Sequence, residues 1–301
     1  MEIVKFDSVE STNKYCEVLN LAEVEDFTCY WALEQTAGIG QRGNHWHSTP
    51  GENLTFSLVL HPTWLPAERQ FRLTEALSLA LVDFLSPLST PQSLCDSSPV
   101  SGEQPEECHP ALPLGQGESP KGYHPALPLE QGESPKGKGV EIKWPNDIYV
   151  DRKKICGTLI TTRLSTQASN QSGNQAIISS AICGIGLNVN ETDFPDWLPN
   201  PTSLRLLTGQ RYELEPLLQQ LLQCIAHRYD ALRHGADLEE EYLSLLLGRG
   251  VPAHYLYQGR TITATIDGVD PFGRLLLTAS DGTHLCCNLK EIALINSIAA
   301  S

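Results

Sequence analysis

The 301-residue chain has no long apolar run. Its most apolar helical stretch, LSLALVDFL, is short and holds Asp83, well below the roughly 20 apolar residues a membrane helix needs. The start MEIVKFDSVE brings acids early and no apolar core segment, so it does not read as a secretory signal. Basic residues are scarce: 21 Lys and Arg stand against 36 Asp and Glu, for a formal charge of −15. That balance argues against a broad nucleic-acid or anionic-membrane surface while leaving room for a local cationic site. The nine cysteines include no C-x-x-C pair. They read as reduced thiols packed as small hydrophobes in a cytoplasmic protein, with Cys286 and Cys287 on opposite faces of a strand. No Ser/His/Asp or Cys/His arrangement is legible, and His45-x-His47 lacks further ligands for a metal.

What is present is a mixed chain with one foreign segment. Residues 11–24 and 67–85 are expected to be helices, the second from the spacing of Phe71, Leu73, Ala76, Leu77, Ala80, Leu81 and Phe84. TCYWALEQ and LTFSLVL read as strands on either side of a glycine loop. Residues 86–139 then hold ten of the twenty prolines and a single aromatic, Tyr123, too little apolar surface to offset ordering entropy. HPALPLGQGESPKG at 109–122 returns as HPALPLEQGESPKG at 124–137. This segment reads as a flexible insertion that grew by duplication. GVEIKWPNDIYVDRKKICGTLITTRL is expected to give two strands joined by a charged turn, and QAIISSAICGIGLNVN a long buried strand. An amphipathic helix ending at Gly235, a further helix in ADLEEEYLSLLLGRG, and short strands with Asp267-Gly268 and Asp281-Gly282 turns complete the chain. The expected class is α+β: a mixed β-sheet with helices on one side over residues 1–248, and a small β-barrel over 249–301.

Gly38, Gly40 and Gly43 in EQTAGIGQRGNHW spell a G-x-G-x-x-G, but a strand rather than a helix follows, so a dinucleotide turn is the weaker reading. Ser11-Thr12-Asn13 is helix-capping chemistry. Lys143 precedes a Trp-Pro-Asn-Asp corner in which Asn146 and Asp147 can satisfy turn amides. Lys154 opens a strand and is placed to project over the sheet, and Gly184 and Gly186 interrupt a strand, which marks a bulge or a close approach. Each cluster alone has a structural explanation.

In order, STN, EQTAGxG, GN.W, KWPND, K.CG.L and GIGLNVN, followed by a small β domain, closely resemble the biotin protein ligases. The resemblance covers nearly the whole chain outside residues 86–139. It implies a biotin/lipoate ligase-like catalytic domain with an SH3-like tail, joining biotin to ATP as biotinyl-5'-AMP and passing it to a lysine of a biotin carboxyl carrier domain. It further implies that Ser11, Thr12, Asn13, Gln35, Gly38, Ile39, Gly40, Gln41, Lys154 and Gly157 bind biotin. Arg42, Gly43, Trp46, Lys143, Asn146, Asp147 and Asn188 would bind ATP or the adenylate, with Trp46 near the adenine. Lys154 and Lys143 would carry the chemistry, Asn188 would stand near a bound Mg²⁺, and a homodimer is compatible.

Two departures from the family pattern are visible. Ile39, Gln41 and Asn44 stand where many members carry arginines, leaving Arg42 alone, so a neutral amide replaces a phosphate-holding fork. Only ten residues precede Ser11, so no winged helix-turn-helix and no DNA binding are expected. Lipoate or octanoate attachment and non-catalytic biotin binding remain as alternatives.

Overall fold

The computed structural model describes residues 1–41, 45–89, 139–169 and 173–295. Arg42, Gly43, Asn44 and the tandem repeat at 109–137 lie outside them. Residues 1–90 and 138–301 form one compact unit. Its centre is a seven-stranded sheet in the order β1-β2-β3-β7-β6-β5-β4. The strands are β1 (Ile3–Val9), β2 (Thr28–Gln35), β3 (Leu54–Leu60), β4 (Val140–Lys143), β5 (Asp147–Val150), β6 (Lys153–Ser169) and β7 (Gly173–Leu187). β1 runs parallel to β2 and the remaining neighbours are antiparallel.

β3 is buried along its whole length because both faces of the sheet are covered. On one face lie the two long helices, α2 (Phe71–Ser89) and α4 (Leu214–Arg233), packed on each other and on Trp31, Leu58 and Cys183. The alternate residues Tyr30, Val59 and Ile182 face the other way and meet Cys16 and Leu21 around α1 (Thr12–Glu17). The long helices therefore share one side as expected, while the short α1 covers the other. Each fully buried Leu or Phe of these layers contributes about 2 kcal/mol of burial.

Three expectations shift. The helix expected over 11–24 is split: α1 ends at Glu17 and a 3-10 turn follows at Leu21–Glu23. α2 continues to Ser89 through Pro87, so the described helix takes the first residues assigned to the insertion; a proline this close to a helix end interrupts few hydrogen bonds. Third, the segment from 139 onward gives three strands rather than two: the expected corner after Lys143 is present at Trp144–Asn146 and separates β4 from β5, and the charged turn separates β5 from β6. Edge strand β4 is closed by the segment after α5 (Glu239–Ser244), where Ile142 N–H donates to Leu245 O and Leu247 N–H to Ile142 O, both at 2.8 Å.

The C-terminal strands β8 (Pro252–Tyr257), β9 (Arg260–Val269), β10 (Leu275–Ala279), β11 (His284–Cys287) and β12 (Ile292–Leu294) form a five-stranded antiparallel sheet, order β11-β10-β9-β8-β12. Cys287 is buried and Cys286 exposed, as strand alternation requires. This sheet meets the main one at the KWPND corner, where Trp144 Nε1–H donates to Gly273 O at 3.0 Å. Gly273 has φ +84°, and a Cβ there would lie 2.4 Å from the Phe71 ring. No described helix is long and apolar enough to cross a membrane.

Candidate active site

One cleft of about 890 Å³ runs along the β6–β7 pair. Its axis follows from strand register: Leu159 faces Gly184 and Gly157 faces Gly186, while Asn188 N–H donates to Ile155 O beyond the last pair. These stations are two residues, roughly 6.6 Å, apart.

At the first station stands a polar pocket. Ser11 caps α1, accepting the Lys14 N–H at 3.5 Å. Thr12 N–H donates to Gln35 Oε1 at 2.8 Å. Asn13 lies flat against Gly184, where a Cβ would come within 2.2 Å of Asn13 Oδ1; only glycine leaves room for that amide. Beneath them the hydroxyl of Ser57, fully buried on β3, lies 2.7 Å from Thr12 Oγ1 and 2.5 Å from Asn13 Oδ1. All of these partners are uncharged.

At the second station the Trp46 ring covers two glycines. A Cβ on Gly186 would meet Trp46 Cε2 at 2.3 Å, and one on Gly157 would meet Cζ3 at 3.1 Å. Trp46 therefore walls the middle of the cleft, beside Lys154, whose Nζ is 5.9 Å from the ring centroid. Its buried indole N–H has no hydrogen-bond partner among the described residues. An unsatisfied buried donor costs about 1–3 kcal/mol, which an acceptor entering the cleft would relieve. Lys154 Nζ is paired with Asp147 Oδ2 at 2.7 Å, both side chains part-exposed. Lys143 Nζ donates to Tyr149 Oη at 3.4 Å and stands 5.4 Å from that ring. Burial, then the Asp147 charge, pushes the Tyr149 phenol up to about 12, so it stays protonated near neutrality.

The described flanks of the glycine loop are tied at this end. Trp46 N–H donates to Gly38 O at 3.0 Å and Ile39 bridges His45. Gln41 Nε2 donates to Asn146 Oδ1 at 2.5 Å and to Thr158 O at 3.3 Å. Asn146 in turn donates to Thr158 O. The glutamine that stands in an arginine position is thus a neutral tie between loop and corner.

The sequence-selected residues Ser11, Thr12, Asn13, Gln35, Ile39, Gly40, Gln41, Trp46, Lys143, Asp147, Lys154, Gly157 and Asn188 converge on this cleft. Gly38 and Asn146 do not line it. Asn146 is buried behind the wall with both amide atoms engaged, by Gln41 and Thr158. Asn188 lies at the far end and donates its amide to Thr202 O. Sequence reading did not single out Ser57, Thr158 or Tyr149. Ser57 is one of two hydroxyl residues, with Thr55, in the otherwise apolar strand LTFSLVL; Thr55 donates to Ala32 O within the sheet, and a buried serine in such a strand is the signal that could have found Ser57.

The residues from 5 to 174, more than half of the chain, match the biotin/lipoate A/B protein ligase family. The chain belongs to that family. It is 27% identical over 281 residues to the bifunctional ligase/repressor BirA of Bacillus spizizenii, covering 92% of this chain and 69% of that protein. The BirA of Bacillus subtilis is similar at 26% over 285 residues, with coverages of 93% and 70%. Among solved structures the fold resembles the biotin protein ligase of Aquifex aeolicus in complex with biotin and ATP, with TM-score 0.64, 21% identity and 98% of each chain covered. It also resembles the ligase of Leishmania major in complex with biotin, with TM-score 0.52, 20% identity and coverages of 95% and 98%. The family's ligase chemistry fits a cleft with an uncharged pocket at one end and two lysines at the other.

Proposed function

We propose that this chain is an ATP-dependent biotin protein ligase, a carbon–nitrogen bond-forming enzyme. It joins the biotin carboxylate to the α-phosphate of ATP, releasing pyrophosphate, and then gives the biotinyl group to a lysine amine of a biotin carboxyl carrier domain, releasing AMP. The observation that carries this reading is the order of groups along β6 and β7: a neutral hydrogen-bonding pocket at Leu159/Gly184, a tryptophan-walled passage at Gly157/Gly186, and Lys154 beside it. A polar bicyclic head, a short alkyl tail and a carboxylate occur in biotin in that sequence.

In the first step two anions must approach. Lys154 would bind the biotin carboxylate and then follow the charge onto the phosphate, with Asp147 holding its ammonium in place. Lys143 would face the polyphosphate from the corner, and the described arm of the loop, residues 38–41, would help to exclude water from the mixed anhydride. Mg²⁺ belongs to this reading as an ion carried by ATP. Among the described residues no three His, Cys, Asp or Glu side chains converge on a metal, which fits an ion held mainly by phosphate oxygens. Asn188, its amide nitrogen engaged by Thr202, would lend a carbonyl oxygen, and the ion would neutralise phosphate charge.

We further read the five-stranded C-terminal sheet as the SH3-like module, with the domain change near residue 249. Leu289, between β11 and β12, lines the cleft, which supports a part in closing the nucleotide end. The seven free cysteines among the described residues support a reducing, cytoplasmic setting. Mixing the protein with biotin and ATP should release pyrophosphate, and adding a carrier domain should shift its mass by one biotinyl group. Turnover with lipoate but not biotin would establish lipoate attachment instead; biotin binding without pyrophosphate would make the chain a non-catalytic binder.

A further inference from the structure

Ser57 has one proton and two short oxygen neighbours. An amide oxygen carries no hydrogen, so the 2.5 Å contact to Asn13 Oδ1 requires Ser57 to donate. The 2.7 Å contact to Thr12 then requires Thr12 to donate to Ser57. This uses the only Thr12 side-chain proton, and the 3.2 Å approach of Thr12 Oγ1 to Gln35 Oε1 is left without one. Gln35 Oε1 is satisfied instead by the Thr12 backbone N–H at 2.8 Å. The protons thus run one way, from Thr12 to Ser57 to Asn13.

Both amides in the pocket are thereby turned oxygen-inward. Asn13 Oδ1 is held by Ser57 and Gln35 Oε1 by Thr12, so each presents its NH₂ group. The second Asn13 contact, from Nδ2 to Leu159 O at 3.5 Å, is at the limit of a hydrogen bond and leaves a donor over. Ser11 accepts the Lys14 N–H, and its own proton has no acceptor among the described residues. Gly184 leaves the space that this Asn13 orientation needs.

We propose that Ser57 is a positioning residue that fixes the Asn13 amide as a donor, so that the pocket selects a ligand whose buried tip is a neutral hydrogen-bond acceptor, such as the carbonyl oxygen of a cyclic urea. The inference rests on the biotin reading and gives it a polarity. Ser57 touches no ligand; it acts through Asn13.

The test compares biotin with 2-iminobiotin, in which the urea oxygen is replaced by a protonatable nitrogen that donates, by calorimetric binding at pH 8 to the full chain. The unaltered protein should prefer biotin by at least about a hundredfold, since a donor meeting donors leaves buried groups unpaired. In Ser57→Ala the Asn13 amide is free to turn over, so biotin should bind roughly tenfold more weakly while 2-iminobiotin binds no more weakly, collapsing the preference. Asn13→Asp, which keeps an acceptor for Ser57 and offers another to the cleft, should reverse the order. A Ser57→Ala protein that folds, weakens both ligands equally and keeps the ratio would overturn the proposal and leave Ser57 a packing residue. Failure of the unaltered protein to bind biotin would overturn the ligand assignment itself, and the inference with it.

Discussion

Replacing Lys154 by alanine removes an ammonium 2.7 Å from Asp147 Oδ2 and leaves that carboxylate lining the same cleft. Two unit charges about 4 Å apart interact by about 1 kcal/mol in water and about 4 kcal/mol at an effective dielectric of about 20. The side chains of Lys154 and Asp147 are 30% and 24% exposed, so about 2 kcal/mol is a fair value for each charge contact after solvent screening. Lys154→Ala loses the attraction for the carboxylate and phosphate and uncovers repulsion from Asp147. Adenylation efficiency should therefore fall by at least about tenfold, and by roughly a thousandfold if both contacts count in full. Adding Asp147→Asn to that variant removes the repulsion and should recover about tenfold or more. The assay is steady-state pyrophosphate release at varied biotin and ATP, with circular dichroism confirming the fold. Unchanged turnover in Lys154→Ala removes the lysine from the chemistry. A double variant no better than the single refutes the charge argument even if the single is slow.

Gly186→Ala should lower stability by about 1–3 kcal/mol as the new methyl meets the Trp46 ring; pairing it with Trp46→Ala should recover most of that loss in thermal melts. Gly273→Ala combines a positive φ with a clash on Phe71, and should cost at least about 1–3 kcal/mol, read as a lower urea midpoint. Glu75, buried beside Arg72, has its carboxyl raised to about 7, desolvation outweighing the ion pair. A raised carboxylate pKa means the folded state disfavours the charged form, so this group costs stability progressively as pH rises from about 4.5 to about 7. The stability of Glu75→Gln should fall less across that window than that of the unaltered protein, and equal slopes in urea unfolding would refute the assignment.

The strands on either side of the glycine loop were legible because β-branched and aromatic residues cluster there, and their bounds, Thr28–Gln35 and Leu54–Leu60, match the sequence segments. The members of the cleft were legible as an ordered series of motifs. Their partnerships were not. Gln41 and Asn146 are 105 residues apart in sequence, and nothing local to either marks the other. The interruptions at Gly184 and Gly186 signalled a close approach without saying by what; the visitors are Asn13 and Trp46. The helix expected over 11–24 also overran: the chain turns at Leu21–Glu23, and Leu21 is buried with Cys16.

The indole hydrogen bond from Trp144 to Gly273 spans 129 residues, and Tyr242 Oη–H donates to Pro145 O at 2.7 Å from 97 residues away. All the strands of the main sheet precede both anchoring residues, Tyr242 and Gly273, in the chain. The corner that carries Lys143 and Asp147 is tied to the loop through Gln41 and to β6 through Thr158, and it takes its two outer anchors from the last fifth of the polypeptide. The two halves of the cleft thus differ in the span of chain that holds them: the uncharged pocket is built from residues no later than Gly184, whereas the lysine-bearing half depends in part on a segment made last, so a truncation before Tyr242 removes both outer anchors of the corner and no residue of the pocket.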